Sequence, residues 1–451
     1  MGEANFDIAI VGAGPAGLFA ALELAEKNPK LKVCLIDKGK SIKDREKNEV
    51  MCGVGGSGTF SDGKLHFSPV LSHDKMLDLY SVQEYQAVMD KVEETFVRFG
   101  VDSEVFPKDW KKVQELVEEC KQKNIVLVPR RLRHVGSDKL PKVIENFENF
   151  LREKKVRILD KTSVKDVIVE GKKCKGVLLE NGEKIIAKNV IVAPGRIGTK
   201  WLQEIAAKHG IGFEFETVEV GVRVEFPSEI MRKYAELMYE AIFIVQTPSY
   251  DDVVRTFCPC PNGLVATEAY DGFVCVNGHS NSTHLSENSN FAFVSKVKLT
   301  EPVENTTAYA RSIAQLATTI GGGKPIIQRL KDFKKHRRSN WERINKCFTK
   351  PSLTDVTPGD IAMALPARVV QNIKEGLEAL EKVMPGIDSD ATLLYAPEVK
   401  LRSSKIKTSK NLETGIEGLF VAGDGAGVSG NIVGAAATGI IAARGILEKV
   451  G

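Results

Sequence analysis

The sequence predicts an α/β fold in which a parallel sheet is assembled from segments at both ends of the chain. An apolar run at residues 6–11 passes directly into a glycine-rich turn at residues 12–17, with the sequence GAGPAG. A second apolar run ends at Asp37, which follows Gly17 by 20 residues. A third run, residues 418–424 with the sequence GLFVAGD, precedes a helix of small residues. Short apolar runs bounded by glycine are typical of buried parallel strands.

Each glycine of the first turn has its own physical task. Gly12 permits a tight turn out of the strand, Gly14 lets the backbone approach a pyrophosphate, and Gly17 lets the helix pack against the strand. The helix that starts here directs N–H groups and a partial positive charge at phosphates, and Asp37 can accept a hydrogen bond from a ribose hydroxyl. A strand, this turn, a helix and an acid at this spacing together predict a dinucleotide-binding unit.

Composition limits the class of protein. The chain has 451 residues, enough for two or three domains with a large core. It is 43% hydrophobic and 27% charged, which is typical of globular proteins, and a net charge of +4 gives no reason to expect a nucleic-acid partner. The eight cysteines lack the spacing of a disulfide framework, and no secretory signal is evident. We therefore expect a cytoplasmic protein with reduced thiols.

Residues 430–447 form the stretch that most resembles a membrane span. They contain Asn431, Thr438 and Arg444 and are rich in glycine and alanine. Such a composition favours a buried, closely packed helix over a membrane-spanning one. We therefore expect no integral membrane segment.

Apolar periodicity and turn residues predict the remaining elements. Helices are expected at residues 15–27, 75–123, 140–153, 301–320 and 366–384. Further strands are expected at residues 156–159, 164–169, 176–179, 184–186, 189–195, 218–226, 253–258, 272–276 and 292–298. The pair Asn181-Gly182 is typical of a hairpin turn between two of these strands.

Residues 52–65 form a second glycine-rich segment, with five glycines in eleven consecutive residues. Such a segment is not a regular element and suggests a loop whose backbone passes close to a ligand. Its polar side chains include Ser57, Ser61, Asp62 and Lys64. Asp62 or Lys64 could polarise a substrate or move a proton. Alternatively, the loop is rich in glycine only to let its backbone pass the pyrophosphate.

The two glycine-rich ends of the chain and the sequence VIVAPG at residues 190–195 resemble the two-domain FAD enzymes related to glutathione reductase. In that family the acid after the C-terminal strand, matched here by Asp424, binds the flavin ribityl chain or the adjoining phosphate. The next helix begins at a turn matched by residues 430–432 and points its N-terminus at the flavin pyrimidine edge. The resemblance therefore implies FAD, held by a Rossmann-like domain.

Four further motifs narrow the resemblance to a poorly characterised microbial family of FAD-dependent dehydrogenases or oxidoreductases, and the match covers nearly the whole chain. The motifs are CGVGGSGTFSDGKL at 52–65, TFCPCPNG at 256–263, NGHS at 277–280 and YAPEV at 395–399. We find no second Rossmann unit, so NADH or NADPH would reach the flavin only as a transient electron donor. The redox Cys-x4-Cys of glutathione reductase is also missing, which argues against a reductase that uses that disulfide. The family label implies no substrate.

The residues expected to bind FAD come from all of these segments. They are Gly12, Gly14, Pro15, Ala16, Gly17, Asp37, Lys38, Arg45, Gly56, Ser57, Gly58, Val164, Ala193, Gly195, Gly423, Asp424, Gly430, Asn431 and Ile432. Arg45 either pairs with the FAD phosphates through its guanidinium fork or lies on the surface in a charged run. The helix start at Ile432 either supplies donors to the flavin or merely packs.

Five residues are candidates for catalysis: Lys64, Asp62, Cys258, Cys260 and His279. The two cysteines, at i and i+2 of a strand, would lie roughly 6.6 Å apart for a rise of ~3.3 Å per residue, near the upper limit for a disulfide. They are either a redox pair that passes electrons to FAD or two buried reduced thiols. His279 is either a general acid or base near the substrate or a structural residue beside a turn. No metal site is expected.

We therefore predict a cytoplasmic FAD-dependent oxidoreductase of α/β class, with a discontinuous Rossmann-like FAD-binding domain and an inserted mixed α/β substrate domain. The FAD-binding domain is expected at residues 1–70, 125–199 and 392–451, a helical insertion at 71–124, and the substrate or cap domain at 200–391. Hydride transfer to or from flavin N5 would act on an unidentified small molecule. The alternatives are a reductase of isoprenoid or lipid double bonds and a flavin-bound sensor or binding protein with structural FAD.

Overall fold

The structure is a computed structural model, and it describes residues 4–46, 49, 51–61, 63–70, 74–136, 138–270, 272–280, 285–297, 299, 305–400 and 404–451. The strands are β1 (Ala4–Val11), β2 (Val33–Ile36), β3 (Lys64–His66), β4 (Val105–Phe106), β5 (Val126–Val128), β6 (Leu132–His134), β7 (Arg157–Leu159), β8 (Val164–Glu170), β9 (Lys173–Leu179), β10 (Lys184–Val192), β11 (Phe213–Glu214), β12 (Val218–Pro227), β13 (Ile242–Gln246), β14 (Val253–Cys260), β15 (Leu264–Tyr270), β16 (Phe273–His279), β17 (Asn288–Val297), β18 (Ile326–Arg329), β19 (Thr357–Pro358), β20 (Leu393–Lys400), β21 (Lys405–Ile406) and β22 (Leu419–Val421). The helices are α1 (Pro15–Lys27), α2 (Val82–Arg98), α3 (Trp110–Gln122), α4 (Leu140–Glu153), α5 (Thr199–His209), α6 (Arg232–Met238), α7 (Thr306–Ile320), α8 (Leu330–Lys334), α9 (Trp341–Asn345), α10 (Ala367–Leu380) and α11 (Ile432–Val450).

The chain folds into two compact units. The first unit comprises Met1–Glu104, Leu132–Glu216 and Arg402–Gly451, and the second comprises Val105–Arg131 and Thr217–Leu401. Each unit has its own sheet and its own hydrophobic core.

The predicted domain boundaries stay predictions, and the two units divide the chain at different points. Helix α2 lies in the first unit and α3 in the second, so the predicted helical insertion is divided between them. Gly100, with a φ of 111°, separates these two helices, because this backbone conformation strongly favours glycine. Strand β20 pairs with β12 and lies in the second unit, although the sequence predicts residues 392–401 in the FAD-binding domain.

The first unit contains a parallel sheet in the strand order β7-β2-β1-β10, with β22 also paired to β10. Val11 is in register with both Ile36 and Val192, and Val192 is in register with Val421. The strands β1, β2, β10 and β22 therefore end at one edge, where the turns that follow them gather. The hairpin of β8 and β9 extends the sheet beside the first half of β10. The predicted α/β class, with a parallel sheet built from both ends of the chain, is confirmed.

Helix α11 is the small-residue helix that the sequence predicts near the C-terminus, and it packs on α1. A Cβ at Gly439 would lie 2.0 Å from the carbonyl oxygen of Ala16, so the two helices touch backbone to backbone. From Val433 to Ile446, every residue except Arg444 is buried. Among the described residues, no helix combines the length and the apolar character that a membrane crossing requires.

The second unit is built on a sheet in the strand order β19-β18-β20-β12-β17-β14-β13-β5, and β15 and β16 form a separate hairpin. In β12, apolar and charged or small residues alternate: Val218, Val220, Val222, Val224 and Phe226 alternate with Glu219, Gly221, Arg223 and Glu225. The apolar set packs with residues of α10 in one core. The charged set is buried as well, so its charges need partners inside the protein.

A buried carboxylate ties three helices of the first unit together. Glu23 on α1 is 2% exposed and accepts hydrogen bonds from Lys91 of α2 and from Arg444 of α11. Burial alone would raise the pKa of Glu23, but the two cations outweigh it and lower the pKa. The carboxylate therefore fixes α1, whose first residues form the glycine turn, between α2 and α11.

We expect Glu23→Gln to lower the free energy of unfolding by about 1–3 kcal/mol, because the two hydrogen bonds from Lys91 and Arg444 lose their anionic acceptor. Since the folded-state pKa of Glu23 is lowered, its stabilisation is present above the unfolded-state pKa and is lost as the pH falls through the folded-state pKa. Urea unfolding of the apoprotein at a series of pH values measures both effects. The difference from the wild type should be largest near neutral pH and shrink in acid.

The matched control is Glu26→Gln on the same helix. Glu26 pairs with Arg98 at the surface, where the two side chains are 28% and 46% exposed. Its loss should cost less than about 1 kcal/mol. A Glu23→Gln variant that unfolds like the wild type would show that the three helices do not depend on this carboxylate.

Candidate functional site

The turn after β1 has no room for a side chain at two of its glycines. Gly12 has a φ of 99°, and a Cβ there would lie 2.1 Å from the carbonyl oxygen of Ala193. A Cβ at Gly17 would lie 1.9 Å from the carbonyl oxygen of Gly12. No real Cβ makes contacts this short, so both positions require glycine. The two glycines thereby set how closely α1 approaches the end of β1.

Gly14 differs, because its missing side chain leaves an opening. A Cβ there would meet nothing nearer than the Cα of Gly56, at 3.8 Å. On the neighbouring loop, a Cβ at Gly58 would lie 3.0 Å from Cγ1 of Ile432. The turn, the loop and the start of α11 thus approach one another closely at a place that we call the glycine cradle and define by Gly14, Gly56, Gly58 and Ile432.

The carboxylate of Asp37, predicted to meet a ribose hydroxyl, is engaged by three backbone amides. Its Oδ2 accepts from the N–H of Ala13 at 2.8 Å. Its Oδ1 accepts from the N–H groups of Gly39 and Gly53, both at 2.8 Å. A carboxylate has about four acceptor positions, so one more hydrogen bond is compatible with this arrangement. Asp37 joins the first glycine turn to the second glycine loop, and a ribose contact stays a prediction.

Arg45 is buried, and its guanidinium binds the second glycine-rich segment, residues 52–65, mainly through backbone carbonyl oxygens. Its Nη1 donates to the carbonyl oxygens of Val54 (2.7 Å) and Gly56 (3.1 Å). It also donates to Oγ1 of Thr59 at 3.2 Å, and Nη2 donates to the carbonyl oxygen of Glu49 at 2.7 Å. Burial lowers the pKa of the guanidinium. The alternative of a surface arginine is therefore wrong, and a contact with FAD phosphates stays a prediction.

The turn after β22 presents a second carboxylate, that of Asp424. Ser429 donates its hydroxyl to Oδ1 of Asp424, and Nε of Arg196 lies 3.9 Å from Oδ2. Asn431 caps α11 by accepting from the N–H of Gly434 at 2.9 Å. Arg196 and Ser429 are not predicted from the sequence, because neither stands in a motif with an assigned task.

These residues fit a dinucleotide with a pyrophosphate. Helix α1 begins at Pro15 without a side-chain cap, so the N–H groups of Ala16 and Gly17 have no acceptor within the helix. Together with the helix dipole they favour an anion. The opening at Gly14, which a Cβ would enter, lies at the same helix start. FAD is one such dinucleotide; that the start of α1 and the glycine cradle hold its phosphates and that Asp424 binds its ribityl chain stay predictions.

The remaining predicted cofactor-binding residues lie on the first unit. Ser57 is half-buried in a short 3-10 helix, and Gly195, with a φ of 63°, lies in the turn after β10. Val164 begins β8 two residues after Thr162, whose N–H donates to the carbonyl oxygen of Asp37 at 2.8 Å. Gly423 packs near α1, whereas Lys38 and Gly430 are exposed.

The candidates for catalysis are divided between the two units. Lys64 is buried on β3 of the first unit, and Asp62 lies outside the described residues. Cys258, Cys260 and His279 lie in the second unit, with His279 exposed at the end of β16. Their catalytic roles stay predictions. Among the described residues, no group of three or more His, Cys, Asp or Glu side chains could hold a metal ion.

The regular spacing predicted for the two cysteines is wrong. The register of β14 with β17 shifts between Phe257 and Cys260, and Cys258 has a φ of 47°. The strand bulges here, so the two cysteines do not occupy successive positions on one face of a flat strand. Cys258 is half-buried, Cys260 is buried, and both are thiols.

The second unit contains a buried charge that is not predicted from the sequence. Arg223 on β12 is completely buried, and its Nε donates to Oε2 of Glu398 on β20 at 2.9 Å. Lys400 also pairs with this carboxylate. The alternation of charged residues with valine in β12 is the pattern that could have revealed Arg223.

Comparisons with known protein families match three segments of the chain. Residues 7–52 match "Lycopene cyclase protein", residues 72–216 match "FAD binding domain", and residues 217–401 match "FAD-dependent protein, C-terminal domain-like". An uncharacterized protein of Clostridium beijerinckii is 25% identical over 98% of this chain and 80% of its own length.

Solved structures give weaker similarities. A mutant of E. coli quinol fumarate reductase has a TM-score of 0.46 and 14% identity, covering 100% of this chain and 71% of that chain. Glycine oxidase from Bacillus cereus has a TM-score of 0.42 and 12% identity, covering 98% of this chain and 95% of that chain.

The family matches to residues 72–216 and 217–401 show an FAD-dependent protein. FAD is its cofactor, as the sequence predicts. The predicted resemblance to a poorly characterised group of such proteins is confirmed, and no substrate follows from it.

We expect Gly14→Ala to weaken FAD binding by about tenfold or more, because the added methyl group enters the glycine cradle where the backbone must approach the pyrophosphate. The stability of the apoprotein should stay within about 1 kcal/mol of the wild type, because the methyl group meets no atom closer than 3.8 Å. Titration of the apoprotein with FAD and urea unfolding measure the two quantities.

Two further alanine variants serve as controls, one expected to be disruptive and one expected to be neutral. In Gly17→Ala the new Cβ would lie 1.9 Å from a backbone oxygen, so both FAD binding and stability should fall. In Gly415→Ala it would meet nothing within 4 Å, so neither should change. Wild-type FAD affinity in Gly14→Ala would place the phosphates elsewhere.

We expect Arg45→Ala to lower the stability of the apoprotein by about 1–3 kcal/mol and to weaken FAD retention as well, because the loop carbonyls lose a charged donor. Urea unfolding without FAD and flavin occupancy after gel filtration are the measurements. The control is Arg98→Ala, which removes a half-exposed partner of Glu26 and should cost less than about 1 kcal/mol. Lost flavin with unchanged apoprotein stability would instead assign Arg45 to the phosphates alone.

Proposed function

We propose that the protein transfers a hydride between a small-molecule substrate and the N5 atom of FAD. The observation that carries this proposal is the glycine cradle, because the starts of α1 and α11 both meet the second glycine loop there. FAD, when bound, supplies the hydride acceptor or donor, which no side chain can provide. The protein contributes binding, orientation and the electrostatic environment.

The start of α11 is suited to stabilise negative charge on the flavin. Asn431 caps the helix, and the N–H groups of Ile432 and Val433 have no acceptor within it. A helix N-terminus stabilises an anion by about 0.3–1 kcal/mol at the surface and by more where it is partly buried. We propose that these N–H groups face the flavin pyrimidine edge and that Asp424 binds the ribityl chain.

The substrate class stays open in this proposal. The match to lycopene cyclase is confined to residues 7–52, which contain the glycine turn, α1 and β2. In our proposal that segment binds the nucleotide, so the match does not favour an isoprenoid substrate. NADH or NADPH is retained as a transient electron donor.

The oxidation state of the cysteines indicates the cellular compartment in which the protein works. All eight are thiols, with none joined in a disulfide. Unpaired thiols in a chain of this size are typical of a reducing environment. We therefore propose a cytoplasmic location.

The test is anaerobic mixing of the FAD-bound protein with NADH, with NADPH and with a panel of small organic acids, amino acids and alcohols, while the visible flavin absorbance is followed. We expect one donor to bleach the flavin much faster than it bleaches an equal concentration of unbound FAD. Chemically reduced protein should then be reoxidised by a soluble quinone or by oxygen. A flavin that no donor reduces and no acceptor reoxidises would instead be structural, as the sensor alternative requires.

A further inference from the structure

Strand β14 leaves regular pairing at its two cysteines. Its register with β17 shifts between Phe257 and Cys260, and Cys258 adopts a left-handed backbone with a φ of 47°. Such a conformation is strained in a residue with a side chain and persists only where its surroundings hold it. Cys260 Sγ donates to the carbonyl oxygen of Cys258 at 3.5 Å, so the second sulfur lies against the backbone of the first cysteine.

Arg223 on β12 is the neighbour that holds this geometry. Its Nη1 donates to the carbonyl oxygen of Cys258 at 3.3 Å and to Oδ1 of Asn290 at 2.8 Å. Burial disfavours the charged guanidinium, but Glu398 outweighs burial and raises the pKa of Arg223, and Cys260 and Cys258 act in the same direction. A lasting positive charge beside two thiols favours their thiolate forms.

Two more residues bring the sulfur and the charge together. A Cβ at Gly278 on β16 would lie 2.3 Å from Nη1 of Arg223 and 2.7 Å from Sγ of Cys260. The guanidinium nitrogen and the sulfur therefore lie close to each other, next to a residue that has no side chain. Asn290 is in register with Cys260 and is completely buried, and its Nδ2 has no hydrogen-bond partner among the described residues. A buried donor without an acceptor is destabilising, and an anionic sulfur or a sulfenic oxygen nearby would supply the missing acceptor.

We propose that Cys258 and Cys260 form a dithiol that hydrogen peroxide oxidises reversibly to an intramolecular disulfide. Cys258 is half-buried and Cys260 is buried, so Cys258 is the sulfur that peroxide reaches. Its thiolate attacks one peroxide oxygen, the O–O bond breaks, and a sulfenic acid forms while the other oxygen leaves as water after taking up a proton. The thiol of Cys260 then attacks the sulfenic sulfur, the S–S bond forms, and a second water leaves. Peroxide gains two electrons, and the two thiols lose them.

This dithiol chemistry requires neither the substrate nor the hydride step proposed above. A failure of this proposal would therefore leave the proposed hydride transfer unaffected, and the reverse also holds.

The experiment uses the FAD-bound wild-type protein, fully reduced and then freed of reductant. One molar equivalent of hydrogen peroxide is added, the remaining thiols are alkylated, and the intact mass and the peptide that carries residues 258–260 are measured. We expect the loss of two alkylatable thiols per chain, a mass lower by two hydrogen atoms, and a disulfide within that single peptide. Dithiothreitol should restore both thiols. A peptide that stays fully alkylatable, or a disulfide between chains, overturns the proposal.

Single variants show which cysteine forms the sulfenic acid and which one then forms the disulfide. In Cys260→Ser the sulfenic acid on Cys258 should persist and be trapped by a cyclic 1,3-diketone. In Cys258→Ser the peptide should resist the same peroxide dose. The matched control is Cys52→Ser, because Cys52 is also half-buried but has no second cysteine near it in the sequence, and its loss should leave the disulfide yield unchanged. Equal disulfide yield in wild type and Cys258→Ser would show that other cysteines react.

Discussion

The glycine cradle depends on the carboxylate of Asp37. Its three amide partners, at Ala13, Gly39 and Gly53, belong to turns that meet at this edge of the sheet. Two backbone hydrogen bonds also join these turns, from the Gly55 N–H to the Ala13 carbonyl oxygen at 2.8 Å and from the Val54 N–H to the Lys40 carbonyl oxygen at 3.0 Å. Hydrogen bonds to an ionised acceptor are roughly twice as strong as neutral ones, so a single side chain can hold several flexible glycines. Arg45 binds the carbonyl oxygens of the same loop, so its amides and carbonyls are fixed from two sides.

The first unit could be predicted in detail because short patterns determine its elements. Helix α1 begins at Pro15 and ends at Lys27, as predicted, since a proline suits a helix start and Pro29 prevents continuation. The strands around it are apolar on both faces, which is how buried parallel strands are recognised. The cradle itself was visible as glycines, because close backbone approach excludes every other residue type.

The partners of the buried charged residues could not be predicted from the sequence. Arg45 stands in a charged run and looks exposed, and only the folded loop shows that its partners are carbonyl oxygens. Arg223 and Glu398 are 175 residues apart, and the sequence around either residue does not indicate that the two form an ion pair. The bulge at Cys258 likewise depends on a neighbouring strand, so an extended spacing was the natural expectation from sequence alone.

The pairing of β22 with β10 has a consequence for how the protein is made. Most of the second unit, Thr217–Leu401, is translated between these two strands. On the ribosome, β1, β2 and β10 are therefore exposed while their last partner strand and α11 have yet to be synthesised. The second unit can complete its own sheet during that interval, since domains generally fold as units. With α11 in its proposed role at the flavin, cofactor capture waits for almost the whole chain, and an aborted translation product would carry an incomplete sheet edge.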